Sequence, residues 1–123
     1  MTQGVEEQRF NVEVQTVDGA VVLALSGELD HDTAEPLREA LAAAATPGGR
    51  LVVDLSGLGF CDSTGLNVLL QGRLAVREAG GSLDLSGLRG PVARMFHITG
   101  VDGVFPVYAD VTEALGRQGH GSP

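Results

Sequence analysis

The sequence is poor in the residues that hold disulfides and metals. Cys61 is the single cysteine, which excludes an intrachain disulfide and fits a reducing, cytoplasmic setting. The three histidines, His31, His97 and His120, do not form a metal-ligand pair at helical spacing. We therefore interpret them as structural or solvated residues, and we expect no metal site.

Positive charge is also scarce. The chain has 8 Lys and Arg residues against 16 Asp and Glu residues, which gives a net charge of −8. Nucleic acids and anionic membranes are bound through basic residues at their phosphates, so neither is an expected partner. No apolar run approaches the roughly 20 residues of a membrane-spanning helix. The acidic N-terminus lacks a signal-peptide pattern.

What the sequence does contain is enough apolar material for one core. Its length of 123 residues and its hydrophobic content of 43% are typical of one globular domain. We place that domain at residues 10–115. The polar residues 1–9 and the Gly-rich residues 116–123 are expected to be flexible.

The first half of the domain begins with a predicted hairpin. Phe10, Val12 and Val14 alternate with polar residues, which indicates a strand with one buried face. Asp18-Gly19 is typical of a two-residue hairpin turn, and the apolar run that follows it predicts a second, buried strand. For the next helix we prefer Thr33 as N-cap, because Pro36 then falls at the third helical position, where its missing N–H matters little.

Strands and helices alternate from there on. Leu51–Leu55 predicts a buried strand, and a helical apolar pattern follows it: Leu66, Leu69, Leu70, Leu74 and Val76. A short strand at Leu83 and Leu85, a helix opened by Gly90 with Pro91 at its first position, an edge piece containing Pro106, and a helix with a capping box at Asp110–Glu113 complete the chain. The order β-β-α-β-α-β-α-(β)-α predicts an α/β fold with a mixed sheet, an antiparallel N-terminal hairpin and packed helices.

Asp62-Ser63-Thr64 lies where the third strand gives way to a helix. The unpaired N–H groups of a helix N-terminus favour an anion, so a serine there could carry a phosphate. The simpler interpretation is that Ser63 or Thr64 is the N-cap of the helix. The residue pattern by itself leaves both interpretations open.

Two stretches of the chain resemble one family. Ser26–Leu37 is similar to the segment after the second strand of bacterial anti-sigma-factor antagonists, and Asp62–Leu66 resembles the phosphorylation motif of the same STAS domain proteins. Their spacing, Gly80-Gly81, Thr99–Val101 and the helix at Asp110–Leu115 also resemble the family. The similarity extends from about Phe10 to Leu115, and a single STAS-like domain is expected.

The resemblance implies partner switching. In this family the unphosphorylated antagonist binds an anti-sigma factor, which frees a sigma factor. The anti-sigma factor is also a serine kinase that uses ATP, and it phosphorylates the serine after the aspartate, here Ser63. Phosphorylation breaks the complex, and a serine phosphatase restores it. ATP and magnesium belong to the kinase, so no cofactor is expected in this chain.

The resemblance also implies where partners bind. Ser63 is the expected phosphorylation site, with Thr64 as the less favoured acceptor. The expected partner-binding residues are Asp30, Asp62, Thr64, Gly65 and Asn67, although Asp30 and Asp62 could equally be plain turn or capping residues. Asn67 stands where family members often have glycine.

Two other functions compete with the switch. A nucleophilic Ser63 would need a base, which only His31 or His97 could supply, and the surrounding residues lack the Gly-x-Ser-x-Gly pattern of α/β hydrolases. We therefore expect no enzyme activity. The second alternative is a non-switching STAS adaptor subunit of a sensory or lipid-transport assembly, in which Ser63 and Thr64 form only a cap and a contact surface.

Overall fold

Strands and helices alternate along most of the chain, as predicted. The computed structural model describes residues 9–119, and side-chain environments are defined for 9–116. Its elements, in chain order, are β1 Phe10–Val17, β2 Ala20–Leu29, α1 Ala34–Ala44, β3 Arg50–Cys61, α2 Ser63–Glu78, β4 Ser82–Ser86, α3 Gly90–Ile98, a 3₁₀ turn Val101–Gly103, β5 Val107–Tyr108 and α4 Val111–Gly119. No helix within 9–119 is long and apolar enough to cross a lipid bilayer.

The five strands form one sheet in the order β1-β2-β3-β4-β5. β1 pairs antiparallel with β2, and every other neighbouring pair is parallel. The hairpin turn has the positive backbone angles that an Asp-Gly pair provides, with φ of 51° at Asp18 and 81° at Gly19. This confirms the predicted mixed sheet with an antiparallel hairpin at its start.

The sheet is covered unequally on its two faces. The main core lies between the sheet and the helices α1, α2 and α3, and it is filled by Leu23, Val53, Leu37, Leu69, Phe96 and their neighbours. The opposite face holds a smaller cluster of Val22, Val52 and Ala114, where Ala114 belongs to α4. Val22 and Val52 are register partners, so this second cluster alternates with the main core along the same strands.

Two helices start where the sequence predicts, and one of them has the predicted capping bonds. Thr33 is the residue before α1, with Pro36 third in the helix, although the Thr33 hydroxyl bonds Glu28 and Asp30 instead of capping the helix. At α4, the Asp110 carboxylate accepts the Glu113 N–H at 2.8 Å, while the Glu113 carboxylate accepts the Ala109 N–H. The predicted capping box is therefore present, with its return bond displaced by one residue.

Three predicted details are wrong. β3 continues six residues past Leu55, because it stays paired with β2 through two register shifts. Val14 is 60% exposed, so the buried face predicted for β1, an edge strand, does not extend to it. Pro91 is the second residue of α3, after Gly90. The helix predicted at Asp110–Leu115 is α4, which runs to Gly119, and flexibility of the tail that follows the domain stays a prediction. Flexibility of residues 1–8 and 120–123 concerns positions outside the described part of the chain.

Gly27 lies where β2 passes the start of β1. Its φ is +93°, and a Cβ atom there would lie 2.0 Å from the Arg9 carbonyl oxygen. Both the backbone angle and the close approach therefore require glycine.

We expect Gly27→Ala to lower the free energy of unfolding by about 2 kcal/mol or more, because a backbone atom cannot move aside cheaply. Urea denaturation followed by circular dichroism measures the change. Gly103→Ala is the matched control, since a Cβ at Gly103 would meet no atom within 4 Å. Equal stability of the two variants would contradict the argument.

Cys61 ends β3 and is only 3% exposed. Burial, together with the negative charge of Asp62, raises the pKa of its thiol to about 12. The thiol is therefore protonated and shielded in the folded protein at neutral pH, and it is a packing residue rather than a reactive one.

We expect iodoacetamide to label Cys61 quickly in urea and very slowly in the native protein at pH 8, as read by mass spectrometry. The unfolded thiol ionises near its ordinary pKa, whereas the folded thiol holds its proton up to about pH 12.

The stability that the Cys61 thiol contributes is thus complete below about pH 9 and is lost as the pH rises towards 12. Cys61→Ala should flatten that alkaline decline. A decline of the same slope in both proteins would contradict the assignment.

Candidate functional site

The candidate site is built where β2 and β3 end together at one edge of the domain. Leu29, the last residue of β2, is the register partner of Cys61, the last residue of β3. The next residue, Asp62, donates its backbone N–H to the Leu29 carbonyl at 3.1 Å. The segment after β2 is therefore joined directly to the start of α2, and the acidic loop Glu28–Asp32 abuts the serine motif.

Asp62 is the N-cap of α2. Its backbone is extended, with φ of −100° and ψ of −174°, and its Oδ1 accepts the Gly65 N–H at 3.1 Å. Its carbonyl accepts the Leu66 N–H, also at 3.1 Å. The interpretation of Ser63 or Thr64 as the cap is therefore wrong: the cap must precede the helical residues, and both hydroxyl residues are already within the first turn.

Because Asp62 caps the helix, the Ser63 hydroxyl has no structural role. Ser63 is exposed and is the first residue of α2. Within the described residues, no hydrogen bond engages its hydroxyl, its backbone N–H or the N–H of Thr64. A hydroxyl next to unpaired N–H groups at a helix start can accept a phosphate without loss of an existing bond.

Ser63 belongs to an exposed stripe along α2. Asn67 follows it by four residues, and Gln71 and Leu74 continue the same face, all of them exposed. Leu74 was predicted among the apolar positions of this helix, but it is 56% exposed because it faces outward with this stripe. Thr64 is half-buried, on the side of the buried Val68. The stripe thus brings Ser63 and Asn67 together and leaves Thr64 less accessible.

Gly65 has a packing role beneath the serine. A Cβ at this position would lie 2.6 Å from Leu29 Cγ and 2.9 Å from Cys61 Sγ. The first turn of α2 can therefore rest on the ends of β2 and β3 only if the residue is glycine. This is a structural reason for Gly65, and any partner contact would be additional to it.

Asp30 organises the loop beside Ser63. Its Oδ1 accepts the Asp32 N–H at 2.9 Å, and its Oδ2 accepts a hydrogen bond from Arg9 at 2.7 Å. Burial acts to raise its pKa, but the hydrogen bonds from Asp32 and Thr33 and the charge of Arg9 outweigh it, so the pKa lies below its ordinary value. The carboxylate is ionised at neutral pH and held in place.

Arg9 is a residue of the site that sequence reasoning missed. It bonds Asp30 and lies 3.7 Å from a Glu28 carboxylate oxygen. It precedes Asp30 by 21 residues and lies in a segment predicted to be flexible, so no local pattern indicated the contact. Even with Arg9 present, the local charge is negative, since Glu28 and Asp30 lie on the neighbouring loop and Asp62 caps the helix.

The two histidines weighed as catalytic bases are engaged elsewhere. His31 lies 3.4 Å from Asp32, and His97 lies 3.1 Å from Asp102, both as exposed pairs. No hydrogen bond joins either of them to Ser63 in the described residues. Within 9–119 no group of three His, Cys, Asp or Glu side chains could hold a metal ion.

Comparison with known proteins identifies the fold and the family. The family model described as "Mlab, STAS domain" matches residues 12–109. The anti-sigma-B factor antagonist of Bacillus subtilis is 34% identical over 100 residues, which cover 81% of this chain and 92% of that protein. The crystal structure of an anti-sigma factor antagonist from Mycobacterium paratuberculosis has a TM-score of 0.75 and 34% identity, with coverage of 88% and 92%.

A third similar protein, the anti-sigma factor antagonist SpoIIAA, has been solved in two forms. Its unphosphorylated form gives a TM-score of 0.74 at 26% identity and covers 87% of this chain and 95% of its own. The phosphorylated form, from Bacillus, gives 0.68 at 25% identity, with coverage of 87% and 98%. With its five-stranded mixed sheet and its serine motif at the start of α2, the chain belongs to the STAS domain family, among relatives named as anti-sigma factor antagonists.

Proposed function

We propose that this protein is an anti-sigma-factor antagonist whose partner binding is switched off by phosphorylation of Ser63. In the unphosphorylated state it binds an anti-sigma factor, and a sigma factor is released. The names of its relatives support the antagonist role. The exposed, unbonded Ser63 hydroxyl is the observation that carries the proposed switch.

The anti-sigma factor in this proposal is also a serine kinase that brings ATP and magnesium. A bond forms between Ser63 Oγ and the γ-phosphorus while the bond from that phosphorus to the bridging oxygen breaks. ADP leaves, and the hydroxyl proton passes to the kinase or to water. A serine phosphatase hydrolyses the phosphoester and restores the hydroxyl. This chain supplies the acceptor and no catalytic group, so we propose a cytoplasmic regulator without enzyme activity of its own.

Electrostatics supply the reason why one phosphate would be enough. A phosphoserine adds about −1.5 to −2 charges. Asp62 and the loop Glu28–Asp32 already make the surroundings negative, while Arg9 is engaged by Asp30. Within this chain the unpaired N–H groups at the start of α2 stabilise the phosphate. At an interface shaped around a hydroxyl, the same charge costs several kcal/mol, and about 4 kcal/mol corresponds to a thousandfold loss of affinity.

We expect the anti-sigma factor to contact the exposed stripe of α2 and the loop beside it. Ser63 and Asn67 lie on that stripe, and Asp30 lies on the loop. Asp62 is at the junction of the two. The backbone and side-chain bonds of Asp62 explain its presence structurally, so a contact role for it requires a separate test.

The non-switching adaptor is the competing function. It uses the same fold, and the family model that matches this chain carries the description "Mlab, STAS domain". In that case binding to the partner would be insensitive to the charge at Ser63. We favour the switch because the relatives are anti-sigma factor antagonists and because Ser63 is free of structural bonds.

The first test compares Ser63→Ala with Ser63→Asp as baits for proteins from a native cell extract. We expect Ser63→Ala to retain a small ATP-binding kinase-type anti-sigma factor and Ser63→Asp to bind it at least about a hundredfold more weakly, because the carboxylate mimics the phosphate charge. Mass spectrometry identifies the retained protein, and calorimetry measures the affinities. With ATP, that protein should phosphorylate the wild-type chain and not Ser63→Ala.

Thr64→Val is the matched control for the second hydroxyl, and it should still be phosphorylated. Both Ser63 variants should unfold at the urea concentration of the wild type, because Ser63 makes no structural bond. Equal retention of one partner by the Ser63→Ala and Ser63→Asp baits would contradict the switch and favour the adaptor.

A second test separates the capping role of Asp62 from partner contact. Asp62→Ala should lower the free energy of unfolding by about 1 kcal/mol, whereas Asp62→Asn keeps an oxygen for the Gly65 N–H and should change it by less than about 0.5 kcal/mol. If the negative charge contacts the anti-sigma factor, Asp62→Asn should bind that protein more weakly than the wild type does, even though its stability is unchanged. Wild-type affinity of Asp62→Asn would assign Asp62 to capping only.

A further inference from the structure

β3 has an open edge just before the serine motif. β4 pairs only with Arg50–Asp54 of β3, whereas β2 remains paired as far as Cys61. From Leu55 to Cys61, therefore, β3 has a neighbouring strand on one side only. Gly87, just after β4, still lies against Ser56, so the open stretch begins at Gly57. A half-paired strand of this kind can accept a further extended chain through its backbone groups.

This edge carries none of the side chains that usually protect one. Residues 55–61 read Leu-Ser-Gly-Leu-Gly-Phe-Cys and contain no charged residue and no proline. Gly57 and Gly59 are both exposed. A Cβ at Gly57 would lie 2.9 Å from the Leu25 carbonyl oxygen of β2, and one at Gly59 would meet only the Gly27 carbonyl oxygen, at 3.9 Å, so neither glycine places a side chain over the open side. Phe60 is 48% exposed, which offers an incoming chain an apolar contact beside the backbone.

A groove of about 370 Å³ runs along the edge. One wall is Ser56–Gly59, and the other is Arg89–Pro91 at the start of α3. The Arg89 side chain is exposed, and among the described side chains none forms an ion pair with it. The groove therefore has one positive wall on a protein whose net charge is −8, and it suits a segment that carries a carboxylate.

We propose that an extended segment of the anti-sigma factor adds to β3 as a further strand along Gly57–Phe60, with an acidic side chain meeting Arg89. This inference rests on the proposed function for the identity of the partner. The open edge leads along the chain to the serine site, because Cys61 ends β3 and Ser63 lies two residues later. One partner can therefore occupy the edge and contact the Ser63 hydroxyl together.

The test uses the full chain and the anti-sigma factor that the Ser63→Ala bait retains. Amide hydrogen exchange, followed by NMR, should slow at Gly57–Phe60 when that protein is added. Arg89→Glu should weaken binding about tenfold or more through charge reversal at the groove. Arg94→Glu is the matched control, because Arg94 is an exposed arginine of α3 outside the groove, and it should stay within about twofold of wild type.

The outcomes separate this inference from the switch at Ser63. Unchanged exchange at Gly57–Phe60, or equal binding by Arg89→Glu and Arg94→Glu, would overturn strand addition and leave the Ser63 comparison standing. A different result would support strand addition and contradict the switch: exchange slows at Gly57–Phe60 and only Arg89→Glu loses affinity, but Ser63→Ala and Ser63→Asp bind the anti-sigma factor equally. If no bait retains an anti-sigma factor, both proposals are wrong.

Discussion

The geometry of the serine site depends on the bonds that a single residue, Asp62, makes in two directions. Its N–H holds the end of β2 through the Leu29 carbonyl, and its carboxylate holds the first turn of α2 through the Gly65 N–H. Together these bonds fix where the loop after β2 lies relative to the start of α2. Gly65 completes the arrangement, since only a residue without a Cβ lets the turn rest on Leu29 and Cys61.

The residues at the start of α2 therefore have separate roles. Asp62 and Gly65 are occupied with structure, while Ser63 between them is exposed and unbonded. Chemistry at the serine can therefore change the charge of the surface without removing any bond that shapes it. The surrounding carboxylates, with Asp30 ionised through its hydrogen bonds and Arg9, make that surface sensitive to added negative charge.

Sequence patterns predicted the order of elements, the hairpin and the place of the serine motif, because each rests on local chemistry. Asp18-Gly19 dictates its turn, and Asp110 and Glu113 cap their helix within four residues. What could not be predicted depends on tertiary neighbours. Arg9 bonds Asp30, which is 21 residues away in the sequence. Leu74 is exposed because the face of α2 on which it lies points away from the sheet. β3 extends to Cys61 because β2 continues to pair with it. The choice of Asp62 as cap was missed because three consecutive residues can all cap a helix.

Because Asp62 has the structural role and Ser63 has none, substitutions at the two positions would be detected by different measurements. A residue that carries no structural bond can be replaced with little change in folding, expression or heat tolerance. Any screen that scores the amount of folded protein would accept changes at Ser63 while rejecting changes at Asp62 or Gly65. Loss of the proposed switch at Ser63 would thus leave the folded protein unchanged and would be detected only in the binding of its partners.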